Sequence, residues 1–185
     1  YDEFATDGKV LDPCHGWGGR VTGFLMSKAN KYVGIDASPE TNNGVQSIID
    51  TLGKYSPEKQ AYVYCSPFEK WEATEKEFDF ALTSPPYFDV EEYIGGEQSH
   101  TAYSNYEAWR TGFYTELIKK VYDLLRKGGV FALQIGSQSY PLLEDGKKIA
   151  QSFGFTVKEV RSTDMINSQT KTEDEKAEVI LMLQK

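Results

Sequence analysis

The chain has 185 residues, of which 39% are apolar and 26% are charged, and its formal net charge at pH 7 is −8. A chain of this length buries roughly 70% of the surface that its unfolded form exposes, so its core needs neither disulfides nor a structural metal. No run approaches the ~20 apolar residues of a membrane span and no signal peptide opens the sequence, which excludes a membrane protein and indicates the cytoplasm.

Only two cysteines, Cys14 and Cys65, are present, and no Cys/His spacing is repeated. A disulfide framework or a zinc ribbon therefore has almost nothing to be built from, and a reducing compartment is indicated. Because the sequence begins at Tyr1 rather than at a methionine, we expect residues 1–185 to be a single domain of a longer protein.

The acidic charge balance bears on possible partners. Lys and Arg together number 20 against 28 Asp and Glu. Proteins that bind nucleic acids usually carry clustered Lys and Arg, because neutralising phosphates supplies much of their affinity. If DNA or RNA is a partner, much of the binding energy must come from other contacts.

Short β-rich runs alternate with helical patterns along the chain. Strands are predicted at Lys9–Asp12, Lys31–Asp36, Ala61–Cys65, Phe78–Thr83, Val130–Gly136, Phe155–Arg161 and Ala177–Leu183. Helices are predicted at about Gly19–Ala29, Pro39–Leu52, Tyr106–Lys127 and Tyr140–Phe153. This alternation predicts an α/β fold, in which a mostly parallel sheet has helices on both faces. The last two strands are separated by a polar segment without a helical stripe, so we expect them to pair antiparallel.

A glycine-rich turn follows the first predicted strand. Residues 12–20 read Asp-Pro-Cys-His-Gly-Trp-Gly-Gly-Arg, and the second strand ends in the carboxylate of Asp36. Glycines let the backbone approach a ligand, and an acid at the end of the second strand is typical of a partner for ribose hydroxyls. The nicotinamide dinucleotide pattern fails because Val21 stands where its third glycine would be, and no Lys-Ser or Lys-Thr pair completes a phosphate loop.

The acid inside this turn indicates the charge of the ligand. Asp12 would repel a pyrophosphate, and it suits a cationic ligand such as one that carries an ammonium and a sulfonium. A purely structural turn is the alternative, but the combination of Asp12 with Asp36 favours a nucleoside-ligand site.

The fourth predicted strand runs directly into Ser84-Pro85-Pro86-Tyr87. In an open α/β sheet the carboxyl ends of the strands carry the ligand crevice, so this loop should lie beside the glycine-rich turn. Two prolines remove two amide donors and leave carbonyl acceptors. The Ser84 hydroxyl and the Pro85 carbonyl can then accept hydrogen bonds from a planar amine, while Tyr87 stacks on the ring that bears it. The alternative is a rigid turn at the end of a buried strand.

Together these two motifs resemble those of the class I S-adenosylmethionine-dependent DNA amino-methyltransferases, and the resemblance covers essentially the whole chain. It implies a Rossmann-like sheet of seven strands whose last, antiparallel strand inserts beside the fifth. It also implies a cofactor site, with Asp36 on the ribose and Ser66 and Phe68 as candidates for the adenine. The cofactor-binding residues predicted in this way are Asp12, Pro13, Cys14, Gly16, Gly18, Gly19, Asp36, Ala37, Ser66, Phe68 and Ser84. The catalytic residues are Ser84, Pro85, Pro86 and Tyr87.

The resemblance further implies direct methyl transfer to the exocyclic amine of a flipped DNA base, cytosine N4 or adenine N6, as in restriction-modification enzymes. Ser rather than Asp before Pro-Pro favours cytosine. The 185 residues contain no visible target-recognition region, so we expect DNA recognition to come from a missing or partner segment. An enzyme that methylates protein, RNA or a small molecule and a non-catalytic cofactor-binding module remain alternatives, and the oligomeric state stays open.

Two other interpretations of the cysteines and histidines are weaker. Pro13-Cys14 is similar to the nucleophile motif of carbon-5 cytosine methyltransferases, but it lies in the cofactor turn, so Cys14 is predicted to be a small lining residue. Cys14, His15 and His100 stand at unrelated spacings, and no metal site is predicted from them.

Overall fold

The structure, a computed structural model, describes residues 1–90, 98–136, 139–162 and 178–185. Within these ranges the strands are β1 (Lys9–Asp12), β2 (Lys31–Asp36), β3 (Gln60–Cys65), β4 (Phe78–Thr83), β5 (Leu125–Ile135), β6 (Thr156–Ser162) and β7 (Val179–Gln184). The α-helices are α1 (Gly19–Met26), α2 (Pro39–Leu52), α3 (Tyr106–Trp109), α4 (Thr115–Leu124) and α5 (Leu142–Phe153).

The seven strands form one sheet in the order β3-β2-β1-β4-β5-β7-β6. β1 to β5 pair in parallel, and β7 is antiparallel to both β5 and β6. The predicted α/β sheet is therefore confirmed, including the antiparallel last strand beside the fifth.

Successive residues of the strands alternate between two apolar clusters, one on each face of the sheet. Leu11 and Val33 belong to the first cluster, whereas their neighbours Val10 and Tyr32 belong to the second. Side chains of α4 and α5 complete the first cluster, and side chains of α1 and α2 complete the second. Because side chains of a strand point alternately to opposite faces, this division puts helices on both faces, as predicted.

The largest error of the predicted boundaries falls where α4 meets β5. The helix predicted over Tyr106–Lys127 ends at Leu124, and β5 begins at Leu125. Leu125 is buried as a strand residue, so the apolar spacing continued past the true helix end. Gly128 and Gly129, which come directly after the predicted helix, lie inside β5, where Gly128 has a φ of 78° and the ladder with β4 is irregular.

The remaining boundaries differ less from the prediction. α1 ends at Met26 rather than Ala29, and α5 begins at Leu142 rather than Tyr140. The predicted start of the last strand at Ala177 lies outside the described residues. No helix in the described ranges has the length and apolar character needed to cross a membrane.

A π-helical turn, Arg110–Tyr114, joins α3 to α4 where the sequence predicted one continuous helix. Such a turn accommodates one residue more than an α-helical turn and is frequent near functional sites. Phe113 and Tyr114 are buried within it. The extra residue is not visible in the apolar spacing, because both flanking segments keep a helical pattern.

The chain changes direction within the sheet at β1. It leaves β1 toward β2 and β3 on one side and returns to β4 on the other. Ligands of open α/β sheets bind outside the carboxyl ends of the strands at such a switch point. There the backbone N–H of Cys14 donates to Oγ1 of Thr83 at 3.0 Å, which joins the end of β1 to the end of β4.

Candidate functional site

A cleft of ≈ 320 Å³ opens at this switch point, near the lower end of the range for ligand pockets. It is lined by the segments that follow β1, β2, β3 and β4. The predicted site residues that line it are Pro13, Cys14, Gly16, Asp36, Ala37, Phe68, Ser84 and Pro86. Among the described residues, six other predicted ones lie outside this lining: Asp12, Gly18, Gly19, Ser66, Pro85 and Tyr87.

Two glycines shape the turn after β1. Gly16 and Gly18 have φ values of 58° and 99°, in the left-handed region that favours glycine. A Cβ on Gly18 would also overlap Cδ1 of Ile48 in α2, whereas a Cβ on Gly19 would meet nothing within 4 Å. The backbone therefore requires Gly16 and Gly18, while Gly19 only begins α1.

The carboxylate of Asp36 is fixed at the end of β2. Its Oδ2 accepts from the backbone N–H of Gly16 at 3.1 Å, and its Oδ1 accepts from the backbone N–H of Ser38 at 3.0 Å. A carboxylate oxygen has two acceptor sites, so each oxygen retains one for a ligand. Asp36 lines the cleft and is thus placed to accept hydrogen bonds from a pair of hydroxyls.

Asp12, the acid of the glycine-rich turn, is buried beneath the turn and is not among the residues that line the cleft. It is fully buried, its Oδ2 lies 2.7 Å from Nε of Arg20, and the same oxygen accepts from the Tyr32 hydroxyl at 2.8 Å. Burial alone would lower the pKa of Arg20, but the neighbouring Asp12 carboxylate raises it on balance. Arg20 therefore offsets the charge of Asp12 at Oδ2, while Oδ1 is buried without a hydrogen-bond partner among the described residues. That Asp12 suits a cationic ligand stays a prediction.

Cys14 lines the cleft as predicted. Burial raises the pKa of its thiol well above the usual range, and the nearby carboxylates of Asp36 and Asp12 add to this effect. A thiol with a raised pKa carries little thiolate at neutral pH, and the thiolate is the nucleophilic form. The surroundings of Cys14 thus favour a lining role over nucleophilic chemistry.

The loop after β4 presents Ser84 and Pro86 to the cleft. The Ser84 hydroxyl lies 3.0 Å from the hydroxyl of Tyr87. Tyr87 is only 4% exposed, and its ring belongs to the apolar cluster rather than to the cleft wall. The structure therefore puts Tyr87 behind Ser84, where its hydroxyl orients that of Ser84, and stacking of its ring on a base stays a prediction.

The turn after β3 carries an acidic residue that the sequence reasoning missed. Phe68 and Glu69 both line the cleft, while the predicted Ser66 does not and bonds to the Pro67 carbonyl instead. Oε2 of Glu69 is buried, and no hydrogen-bond partner for it is present among the described residues. A buried acceptor without a partner is costly. A ligand donor in the cleft would satisfy it, and an acid shortly after β3 was the available signal.

Aromatic residues without a predicted role also line the cleft. Trp17, between the two glycines of the turn, is 67% exposed, and Tyr103 and Phe113 contribute from the helical side. The other two tryptophans, Trp71 and Trp109, are buried at 7% and 0% exposure. Trp17 is therefore the tryptophan available to a ligand, and its place in the glycine turn was the signal that sequence reasoning left unused.

His15 has a structural place in the turn. Its side chain is 1% exposed, Nε2 lies 3.0 Å from Oδ1 of Asn42, and Nδ1 lies 3.0 Å from the Gly16 carbonyl. The imidazole thereby connects the turn after β1 to α2. In the part of the chain that the structure describes, no group of three or more His, Cys, Asp and Glu is placed to hold a metal ion.

Comparison with known proteins gives matches in structure and none in sequence. No model of a protein family and no curated protein matches this sequence. One similar structure is an S-adenosylmethionine-dependent methyltransferase from Clostridium acetobutylicum, with a TM-score of 0.67 and 13% sequence identity. The match covers 99% of this chain and 85% of the methyltransferase. Another is fibrillarin from Aeropyrum pernix, solved with natively bound S-adenosyl-L-methionine, with a TM-score of 0.63 and 12% identity. The match covers 97% of this chain and 67% of the fibrillarin chain.

The chain has the Rossmann-like class I methyltransferase fold. This fold hosts more than one reaction, because the [4+2]-cyclase SpnF also matches 98% of the chain over 76% of its own, with a TM-score of 0.66 at 12% identity. Function must therefore be argued from the site rather than from the fold.

Proposed function

We propose that the protein transfers a methyl group from S-adenosylmethionine to the exocyclic amine of a DNA base, cytosine N4 or adenine N6. The observation that carries this proposal is that Asp36 and Ser84 line the same cleft. One is a carboxylate suited to hydroxyls, and the other is a hydroxyl acceptor beside a proline carbonyl. A nucleoside cofactor and an amine can thus be held side by side.

The residues of the cleft fit the cofactor. Asp36 has acceptor capacity for the two ribose hydroxyls, and Gly16, which has no side chain in its left-handed conformation, leaves room for close approach. Phe68, which is 2% exposed, lines the cleft on the side proposed for the purine. Oε2 of Glu69, which has no hydrogen-bond partner among the described residues, can accept from the purine amine. When bound, S-adenosylmethionine supplies an activated methyl group.

On the acceptor side, the loop after β4 acts by orientation. The Ser84 hydroxyl and the Pro85 carbonyl would accept hydrogen bonds from the amine, and the Tyr87 hydroxyl at 3.0 Å holds the Ser84 hydroxyl in place. An amine held in this way would accept the methyl group that the cofactor supplies, with the carbon–nitrogen bond forming as the carbon–sulfur bond breaks. S-adenosylhomocysteine would leave, and the surplus proton of the amine would pass to solvent. Positioning of this kind supplies much of the rate in such displacements.

DNA is the proposed acceptor because Ser84-Pro85-Pro86-Tyr87 resembles the loop of the DNA amino-methyltransferases, and serine at its first position favours cytosine. The target base would have to be flipped out of the duplex, which costs a few kcal/mol. The net charge of −8 repels phosphates overall, so a separate segment or partner would supply DNA binding and recognition. That same charge favours the second candidate, an enzyme that methylates an amine of protein, RNA or a small molecule.

Calorimetric titration with S-adenosylmethionine tests the cofactor site. We expect the wild type to bind, Asp36→Ala to lose binding and Ser84→Ala to retain most of it. Asp36 would hold the ribose, whereas the Ser84 hydroxyl, although also predicted to lie near the cofactor, would mainly hold the amine. Absence of binding by the wild type contradicts the proposal.

Transfer of labelled methyl tests the acceptor. We expect label in DNA, more in cytosine-containing than in adenine-only single strands, and a loss of transfer in Ser84→Ala. Label in RNA or protein but not in DNA would favour the second candidate. Binding without transfer to any acceptor would indicate a non-catalytic module.

A further inference from the structure

The turn after β3 is held by a cation from a distant helix. Residues 67–71 form a compact turn in which the Pro67 carbonyl accepts from the backbone N–H groups of Lys70 and Trp71, each at 3.0 Å. Nζ of Lys120, in α4, donates to the Phe68 carbonyl at 2.9 Å, to the Glu69 carbonyl at 3.4 Å and to the Trp71 carbonyl. An ammonium has three donors, so one side chain satisfies three carbonyls of one turn.

The same ammonium lies against two aromatic rings of the turn. Nζ of Lys120 is 5.3 Å from the ring centroid of Phe68 and 5.9 Å from that of Trp71. Burial lowers the pKa of Lys120, and the carboxylates of Glu69, Glu72 and Glu116 oppose the shift. Lys120 therefore contacts the backbone and the rings of this turn at once.

This arrangement bears on the cleft because the turn carries its wall. The side chains of Phe68 and Glu69 line the cleft, and Lys120 itself does not. The turn lies between strands, so no ladder hydrogen bonds hold residues 67–71 in place. Without the ammonium, the carbonyls of Glu69 and Trp71 lose this donor, while the Phe68 carbonyl keeps the backbone N–H of Trp71 at 3.2 Å. The side chain of Glu69 would then be held less firmly in its buried position.

We propose that Lys120 is a positioning residue that fixes Phe68 and Glu69 to receive the planar base of the cofactor. The inference rests on the proposed function, since it assigns the adenosine half of S-adenosylmethionine to this wall. It predicts that removing the Lys120 ammonium weakens binding of the adenosine half and leaves binding of the amino-acid half unchanged.

The chain offers a matched control one residue away. Lys120→Met keeps the unbranched apolar stem and the helix propensity while it removes the ammonium. Lys119→Met makes the same change on the same helix, but the partner of Lys119 among the described residues is the exposed Asp123, with Nζ 2.8 Å from Oδ2. Any effect specific to Lys120→Met therefore reports the contact with the turn.

Titration with S-adenosylhomocysteine, and competition by adenosine and by methionine, separates the two halves of the ligand. We expect Lys120→Met to weaken S-adenosylhomocysteine and adenosine roughly tenfold, the order expected for lost hydrogen bonds of a charged group. Methionine competition should not change, and Lys119→Met should match the wild type for all three ligands. An equal loss for adenosine and methionine, or no loss, would overturn the positioning role alone.

Hydrogen exchange gives a readout without ligand. The backbone amides of Lys70 and Trp71, which bond within the turn, should exchange faster in Lys120→Met than in Lys119→Met at equal global stability. Unchanged exchange would overturn the positioning role even if binding falls. If the wild type binds neither S-adenosylhomocysteine nor adenosine, the proposed function fails and the ligand assignment fails with it.

Discussion

The two ends of the cleft are held in different ways. The wall after β1 and β2 is held mainly by contacts among residues 15–42, since Asp36 accepts from Gly16 and Ser38 and the imidazole of His15 lies against Asn42. One further bond, from the backbone N–H of Cys14 to Thr83, joins this wall to the end of β4. The wall after β3 depends on Lys120, which is 49 to 52 residues away along the chain from the carbonyls that it binds. The first wall therefore depends less on distant residues than the second, whose position depends on a side chain of α4.

The largest effect is expected from Gly18→Ala, which changes the wall after β1 and β2. A left-handed conformation costs a non-glycine residue about 1–2 kcal/mol, and the added Cβ would also overlap Ile48. Denaturant unfolding should show a loss of at least this size, together with loss of S-adenosylhomocysteine binding. Gly19→Ala is the control, because its Cβ meets nothing within 4 Å, and it should be neutral or stabilising. Equal effects of the two changes would refute the assignment of strain to Gly18.

Glu69→Ala changes the wall after β3, which Lys120 holds. It should weaken S-adenosylhomocysteine about tenfold by removing an acceptor. It should not lower the free energy of unfolding, because it also removes a buried oxygen that lacks a partner among the described residues. Calorimetry and denaturant unfolding measure the two quantities. The exposed Glu72→Ala is the control, and a loss of stability without a loss of affinity in Glu69→Ala would contradict the role in the cleft.

Thiol alkylation compares Cys14, which lines the cleft, with Cys65, which is exposed. Cys65 is exposed and Cys14 half-buried, so iodoacetamide at pH 8 should modify Cys65 about tenfold faster. Because the pKa of Cys14 is raised, its rate should keep increasing with pH beyond the usual thiol range. Mass spectrometry of the labelled peptides measures both rates, and S-adenosylhomocysteine should protect Cys14 but not Cys65. Faster labelling of Cys14 would contradict its described surroundings.

Tyr87→Phe should have a smaller effect, confined to transfer. It removes the hydroxyl 3.0 Å from that of Ser84 and keeps the ring in the apolar cluster, so we expect kcat to fall about fivefold, within the ~1 kcal/mol of one hydrogen bond. Cofactor affinity should not change. Steady-state kinetics with the acceptor that the methyl-transfer assay identifies provides the measurement. An unchanged kcat would contradict the orienting role of Tyr87.

The smallest expected change is spectroscopic. Trp17 is 67% exposed while Trp71 and Trp109 are buried, so the red edge of the tryptophan emission should come from Trp17. Binding of S-adenosylhomocysteine should shift this emission to the blue by a few nanometres, and the shift should disappear in Trp17→Phe. A shift that persists in Trp17→Phe would place the ligand against another tryptophan.

Most of the fold was predictable because most strands and helices have a local sequence pattern of their own. β1, β2 and β4 have the predicted bounds, since each is a short apolar run flanked by turn residues. The end of α4 was not predictable, because Leu125 suits both a helix face and a buried strand. In the site, Asp36 and Ser84 could be found from the motifs, whereas the pairing of Asp12 with Arg20 and the contacts of Lys120 depend on approach in three dimensions.

The π-helical turn at Arg110–Tyr114 makes one side of the cleft sensitive to the deletion of a single residue. Deleting one residue there would restore α-helical spacing and rotate everything before it by about 100° relative to α4. Phe113, which lines the cleft, and Gly112, which leaves room for the Tyr103 ring, lie inside the turn. A single-codon deletion could therefore reshape one side of the cleft while the sheet and the glycine turn keep their places.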